Sequence, residues 1–191
     1  PEDNHYEGKS LRLKQQYFLS SASVQYAVRD FEKTYGPNWD MLPDKVMFQV
    51  NDTHPGLAIP ELMRVLMDEH DLGWDEAEDI CRRTFAYTNH TVMSEALEKW
   101  NIDIFKMTLP RIFTIVQELD RRCREDLFQV FPGDVGKVDY MAILGDNQVR
   151  MANICCHVCH SINGVSKLHS QIIKDSVFHD YYLYKPAAFK N

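Results

Sequence analysis

The sequence has no apolar run approaching the roughly 20 residues that a bilayer-spanning helix needs. Its opening residues, Pro1-Glu2-Asp3-Asn4, carry no signal-peptide pattern. The expectation is a cytoplasmic protein with no membrane partner, and a start at Pro1 without Met suits a processed or excised piece. Glycine and proline are sparse, at 8 each in 191 residues, and no stretch is rich enough in them to act as a linker. Residues 1–191 are therefore expected to form a single unit. Cysteine is scarce and odd in number, at 5, which argues against a secreted disulfide framework and for reduced thiols. Positive charge is in deficit: 21 Lys+Arg against 28 Asp+Glu leave a net charge of −7, a poor basis for holding nucleic acid or anionic lipid. The Gly-rich phosphate-binding patterns are missing, as is the G-x-S-x-G nucleophile elbow.

What is present is amphipathic periodicity. Phe18, Ser21, Val24, Val28, Phe31 and Tyr35 recur at three- or four-residue spacing and predict a helix over 9–35, stopped by Gly36-Pro37-Asn38. Residues 45–50 (KVMFQV) and 84–88 (TFAYT) predict buried strands. Pro60 is placed to start a helix whose face is Leu62, Met63, Leu66 and Met67. Asp75 with Glu78 predicts a capping box opening a helix through Arg83. Residues 94–100 read as helical, and Ile112, Val116, Leu119, Cys123, Leu127 and Val130 predict a long helix over 110–130. Residues 133–148 read as loop-rich, 149–160 as a helix, 161–165 as a short strand or turn, and 166–175 as another helix. Strands separated by helices imply a helix-rich α/β fold with a mainly parallel sheet.

Two segments repeat one layout, strand then polar turn then helix. The first turn holds Asn51, Asp52, Thr53 and His54, and the second holds Asn89, His90 and Thr91. In an open α/β sheet, ligands bind beyond the carboxyl ends of the strands. Uncharged hydrogen-bonding groups with one carboxylate suit a hydroxyl-rich ligand such as a sugar. The same residue types are also ordinary turn and cap formers. Both turns contain an N-x-T sequon, read here as unglycosylated. The stretch from Asp3 to Lys9 is polar and precedes the first helix, as a gate over a site or as frayed chain would. Cys155, Cys156, His157, Cys159 and His160 are dense in metal-ligand types, but on a helix they offer at most two ligands per face. Packing is the expectation there, and no metal is assigned.

At these same residues the sequence resembles the α-glucan phosphorylase family, the glycogen, starch and maltodextrin phosphorylases. The matching runs are DNHYEGKSLRLKQQYF from Asp3, QVNDTHPGLAIPELMR from Gln49 and RTFAYTNHTVMSEALEKW from Arg83. FPGDV from Phe131, NGV with a following LHS from Asn163, and the closing FKN continue the match in order. The resemblance implies the later part of the N-terminal domain of a GT-B glycosyltransferase. It implies a retaining phosphorolysis of terminal α-1,4-linked glucose, with inorganic phosphate giving glucose 1-phosphate. Pyridoxal 5′-phosphate is the implied cofactor of the full-length enzyme, a homodimer. The cofactor's lysine lies in a C-terminal domain outside this chain, so no cofactor is expected on the fragment and the fragment alone is expected to be inactive. Residue by residue, the resemblance implies that Asp3 and Asn4 form a gate loop, with Asn4 bonding a sugar hydroxyl. His90 would offer its backbone carbonyl to the glucosyl unit. Asp52 and His54 would line the catalytic pocket, with Thr91 beside it. Departures from the family pattern include Ser94 in place of a usual Pro and Gln117 in place of an aromatic of a secondary glucan site. The stretch from Leu19 to Leu42 also reads as shorter than in the animal enzymes. The alternatives left open are a non-catalytic carbohydrate-binding or structural module and a metal-binding domain.

Overall fold

A computed structural model describes residues 5–191 of the chain. Helix α1, Tyr6–Tyr35, begins three residues before the expected start and ends at Gly36, whose φ of 69° and amide bond to the Glu32 carbonyl close it. Leu13, Val24, Val28 and Phe31 face the core. Phe18 does not, and is 72% exposed. It follows Leu13 by five positions, about 140° around a helix, so it lies off the core stripe. A 3₁₀ turn at Trp39–Met41 leads into α2, Leu42–Lys45. Helix α2 takes Lys45, the expected start of the first strand, and Val46 closes that helix, so β1 is Phe48–Asn51.

After a 3₁₀ turn at His54–Leu57 comes α3, Ala58–Arg64. It starts two residues ahead of Pro60, which sits in the first turn, where a backbone N–H has no helical partner to lose. Leu62, Met63 and Leu66 are buried as the periodicity requires. Helix α4, Trp74–Thr84, corrects the capping-box expectation: its N-cap is Gly73, with no side-chain cap. Asp75 instead reaches Arg122 at 2.6 Å, and Glu78 pairs with Arg82.

Strand β2, Phe85–Thr88, follows as expected. The helix expected over 94–100 does not form. Ser94–Ala96 is a single 3₁₀ turn and Lys99–Asn101 is a strand, β3. The cause is long-range: Trp100 pairs with Val149 in an antiparallel ladder and is buried there. Helix α5, Ile102–Thr108, is capped by Asn101, whose side chain accepts from the Ile104 amide. Helix α6, Pro110–Val130, keeps its expected bounds, and its stripe is buried up to Leu127 with Val130 exposed.

The segment read as loop-rich contains α7, Val135–Met141, capped by Asp134, and a hairpin. The hairpin joins β4, Leu144–Gly145, to β5, Gln148–Arg150, through Asp146 and Asn147, both at positive φ. Helix α8, Met151–Val158, strand β6, Ser161–Asn163, helix α9, Lys167–Asp175 with Ser166 as N-cap, and α10, His179–Tyr184, complete the chain.

The expected parallel sheet is present in the order β1-β2-β6. A second sheet, antiparallel in the order β3-β5-β4, was not foreseen. Buried residues of nearly every element, from Leu13 to Phe189, fall in one apolar cluster. Among the described residues no helix is long and apolar enough to cross a membrane. Leu119, wholly buried on α6, reports on this core: Leu119→Ala should cost about 2–5 kcal/mol of unfolding free energy. Urea denaturation checks this as a lower midpoint at unchanged slope.

Candidate functional site

Parallel strands β1, β2 and β6 end side by side, and their hydrogen bonding runs on into the turns beyond them. The Asp52 amide donates to the Thr88 carbonyl at 2.8 Å, and the Asn89 amide to the Asn163 carbonyl at 2.9 Å. Asp52 takes φ of 66°, a left-handed conformation that Asp tolerates better than most residues, and its carboxylate accepts from the Thr53 amide. His54 then opens the 3₁₀ turn, which Gly56 presses against Met151 and Cys155 of α8.

In the second turn Asn89 is wholly buried. Its side chain donates to the Thr91 carbonyl and accepts from the Tyr87 hydroxyl. Both ends of that amide are therefore committed, which agrees with reading its sequon as unglycosylated. His90 is exposed, and its Nε2 meets the Asn51 side-chain oxygen, tying the second turn to the first.

A third turn, after β6, was not singled out as part of a site. The Thr88 hydroxyl donates to Asn163, the Gly164 amide to Ser170 and the Val165 amide to His169 Nδ1. Since Nδ1 accepts, His169 carries its proton on Nε2 and donates it to the Thr91 carbonyl at 3.1 Å. A methyl group at Gly164 would lie 2.6 Å from His169 Nδ1 and 2.8 Å from the Ser170 amide, so the turn admits no side chain there. The signal for this turn is Asn-Gly directly after a short strand, with His169 five residues on.

Asp52 and His54 share an open pocket of about 600 Å³ with Lys9, Arg12, Glu98 and Gln148. His90 and Thr91 lie on the neighbouring turn. Glu98 is the node of the pocket wall. It accepts from Gln16, from His54 Nδ1 and from the Trp100 indole, each at 3.3 Å, and pairs with Arg12 at 3.7 Å. The expectation of a helix over 94–100 gave Glu98 no role, because the strand that aims it at the pocket was not foreseen. Carboxylates, cations and amides interleaved around one opening can grip a neutral polyol at many points. A larger groove of about 820 Å³ lies along the outer face of α1 between Lys14 and Lys33, away from the turns at the ends of the parallel strands. Asp3 and Asn4, the expected gate, lie outside the described residues.

The cysteine-rich segment is packing. All five thiols are free and buried. The bond from Cys159 and burial together push the Cys155 thiol far above its ordinary value, and burial pushes Cys123 up to about 12. Among the described residues no group of three or more His, Cys, Asp or Glu is placed to hold a metal. The carboxyl end of α8 is instead closed by Lys185, whose ammonium donates to the carbonyls of Cys156, His157 and Cys159. Arg82 adds bonds to the carbonyl and Nε2 of His157.

A family model described as carbohydrate phosphorylase matches residues 1–191. The chain belongs to the carbohydrate phosphorylase family. Its curated relatives include the muscle form of glycogen phosphorylase from Homo sapiens, 44% identical over 201 aligned positions, and glycogen phosphorylase from Bacillus subtilis, 46% identical over 191. Each alignment covers 100% of this chain and 24% of the relative. The human alignment runs longer than the 191-residue chain and the bacterial one does not.

Two outcomes follow from these contacts. Gly164→Ala should destabilise by about 1–3 kcal/mol through overpacking against His169 and the α9 backbone, read as a lowered denaturant midpoint. His157 is fully buried, and desolvation with the nearby Arg82 and Lys185 charges holds its pKa well below 6.5. Below about pH 6.5 the unfolded chain therefore takes up a proton that the native chain refuses. This residue's contribution is complete above that pH and falls with acidification by up to about 1.4 kcal/mol per pH unit. His157→Gln, which keeps an acceptor for Arg82, should flatten the stability curve between pH 6.5 and 5 by that slope.

Proposed function

We propose that this chain is the later part of the N-terminal domain of an α-glucan phosphorylase of the GT-B type. In this reading the turns after β1 and β2 hold the terminal glucosyl unit of an α-1,4-glucan while phosphate releases it as glucose 1-phosphate. The observation that carries the proposal is the bond between His90 and Asn51, which joins the two polar turns at the carboxyl ends of a parallel sheet. Identity of 44–46% to glycogen phosphorylases over the whole chain supports the same activity for the longer protein.

The roles divide by position. Asp52 and His54 face the pocket, where their polar groups suit direct or water-mediated bonds to sugar hydroxyls. His90 presents the second turn to the same ligand. Its backbone carbonyl would stabilise positive charge that develops on the glucosyl ring. Thr91 is a positioning residue: its carbonyl is already shared by Asn89 and His169, so it keeps His90 in place. Lys9 and Arg12 on the first turns of α1 line the pocket, which supports a gate role for Asp3 and Asn4 just ahead of that helix.

The family's pyridoxal phosphate would supply its phosphate group as a proton partner for the attacking phosphate. Lys185, half-buried, is no covalent anchor for it, because its ammonium is engaged by three backbone carbonyls at the end of α8. The cofactor and most of the phosphate-binding groups belong to the remaining domain. The 191-residue chain alone should yield no glucose 1-phosphate, because the reacting groups are not held opposite one another.

The deciding experiment is phosphorolysis of maltoheptaose by the full-length protein that contains this segment, supplied with phosphate and pyridoxal phosphate. Asn4→Ala and Asp52→Ala should each lower kcat/KM about 10–100-fold, the worth of one or two hydrogen bonds to substrate. Product formed at the parent rate by both variants would remove these turns from the active site. No product from the cofactor-loaded parent would leave the chain as a carbohydrate-binding module.

A further inference from the structure

We infer that His169 is a positioning residue for the proposed phosphorolysis: by bonding the Thr91 carbonyl it sets the direction of the His90 carbonyl one peptide away. This rests on reading the turn after β2 as part of the glucosyl site. His169 sits in the first turn of α9, 78 positions beyond Thr91, and is 9% exposed.

The imidazole bridges two turns, and its two nitrogens have opposite duties. The Val165 amide, which can only donate, bonds Nδ1 at 2.9 Å. The proton is therefore on Nε2, which donates to the Thr91 carbonyl at 3.1 Å. The end of α9 that carries the ring is itself fixed. The Ser166 hydroxyl caps the His169 amide at 3.1 Å, and the Ser170 hydroxyl accepts from the Gly164 amide at 2.9 Å. Further along, Ile173 and Phe178 are buried, and the Phe178 ring lies 6.2 Å from that of Tyr87 on β2. The donor is thus delivered to Thr91 by a helix anchored on the sheet.

The second turn shows why that bond matters. The Asn89 side chain also reaches the Thr91 carbonyl, but from inside the same turn, so it fixes the turn's shape and not its placement. Placement comes from outside. Asn51 holds the His90 ring from the β1 side, and His169 holds Thr91 from the β6 side. The peptide unit between these two held groups carries the His90 carbonyl. A peptide is planar and turns only about the φ and ψ beside it, so holding both neighbours aims that carbonyl. A dipole aimed in advance stabilises developing charge without reorganising at the moment of reaction. Losing the aim therefore costs the transition state more than the bound substrate.

Two variants of the full-length, cofactor-loaded protein separate the two bonds. His169→Asn keeps an acceptor at the position of Nδ1 and removes the donor to Thr91. His169→Gln keeps a donor at the position of Nε2 and removes the acceptor for Val165. Each loses one bond, so a role confined to stability predicts equal losses of activity, whereas positioning predicts a split. His169→Asn should lower kcat for maltoheptaose phosphorolysis about tenfold with KM little changed, and His169→Gln should restore kcat to within about threefold of the parent. Deuterium exchange should rise in residues 89–93 of His169→Asn and in residues 163–166 of His169→Gln. Equal kcat in the two variants, with the parent active, overturns this inference alone, as does unchanged exchange at residues 89–93 in His169→Asn. A parent that makes no glucose 1-phosphate overturns the phosphorylase reading and this inference with it.

Discussion

The parallel ladder does not stop where the strands stop, and the rest of the site depends on that extension. One bond just beyond β1, from Asp52 to Thr88, and one just beyond β2, from Asn89 to Asn163, hold the turns level with one another. Each is an ordinary backbone hydrogen bond, worth about 1 kcal/mol net. Their value is geometric: turns fixed to a shared sheet inherit its rigidity, so His90 reaches Asn51 and His169 reaches Thr91 without ordering long loops. Sites built on the ends of regular elements lose less entropy when a ligand binds than sites on free loops do.

Buried polar groups pay for their burial in the same local way. Asn89 is wholly enclosed, and each part of its side-chain amide has a partner. Glu61 is enclosed under α1 and gathers Tyr17, Ser21 and Arg64 around its carboxylate. That cluster fastens the first helix to α3, and the first helix in turn carries Lys9, Arg12 and Gln16 to the pocket. The carboxyl end of α8 is satisfied by Lys185 and Arg82, which leaves β6 to start in register three residues later. Polar contacts thus decide where each turn lies, and the apolar cluster decides that the turns stay there.

The pocket fits a neutral, hydroxyl-rich ligand better than an ion. Asp52 and Glu98 oppose Arg12 and Lys9 around one opening, so neither sign of charge dominates it. Glu98 already satisfies Gln16, His54 and the Trp100 indole, and so it holds His54 in a set orientation. A sugar entering such a site exchanges water bonds for bonds to groups already aimed. In the phosphorolysis proposed above, phosphate and the cofactor's phosphate would have to be held by a second wall opposite this pocket.

Helix α6 was legible from Pro110 to Val130 because its apolar stripe recurs at helical spacing and Pro begins it, both local facts. Strand β2 and the two N-x-T turns were legible for the same reason. The family itself was legible, since runs such as QVNDTHPGLAIPELMR are identifying without any coordinates. The failures share one cause, which is distance along the chain. Residues 94–100 have helical composition, yet Trp100 is drawn into a ladder with Val149. Asp75 has capping-box spacing, yet Arg122, 47 residues away, takes its carboxylate. Glu98 carries no local sign that it joins α1 to the His54 turn. Local periodicity and turn chemistry determined most elements and named the two polar turns. Pairing between remote residues decided which of them meet, because a side chain that can bond in several ways is settled only by the partners folding brings within reach.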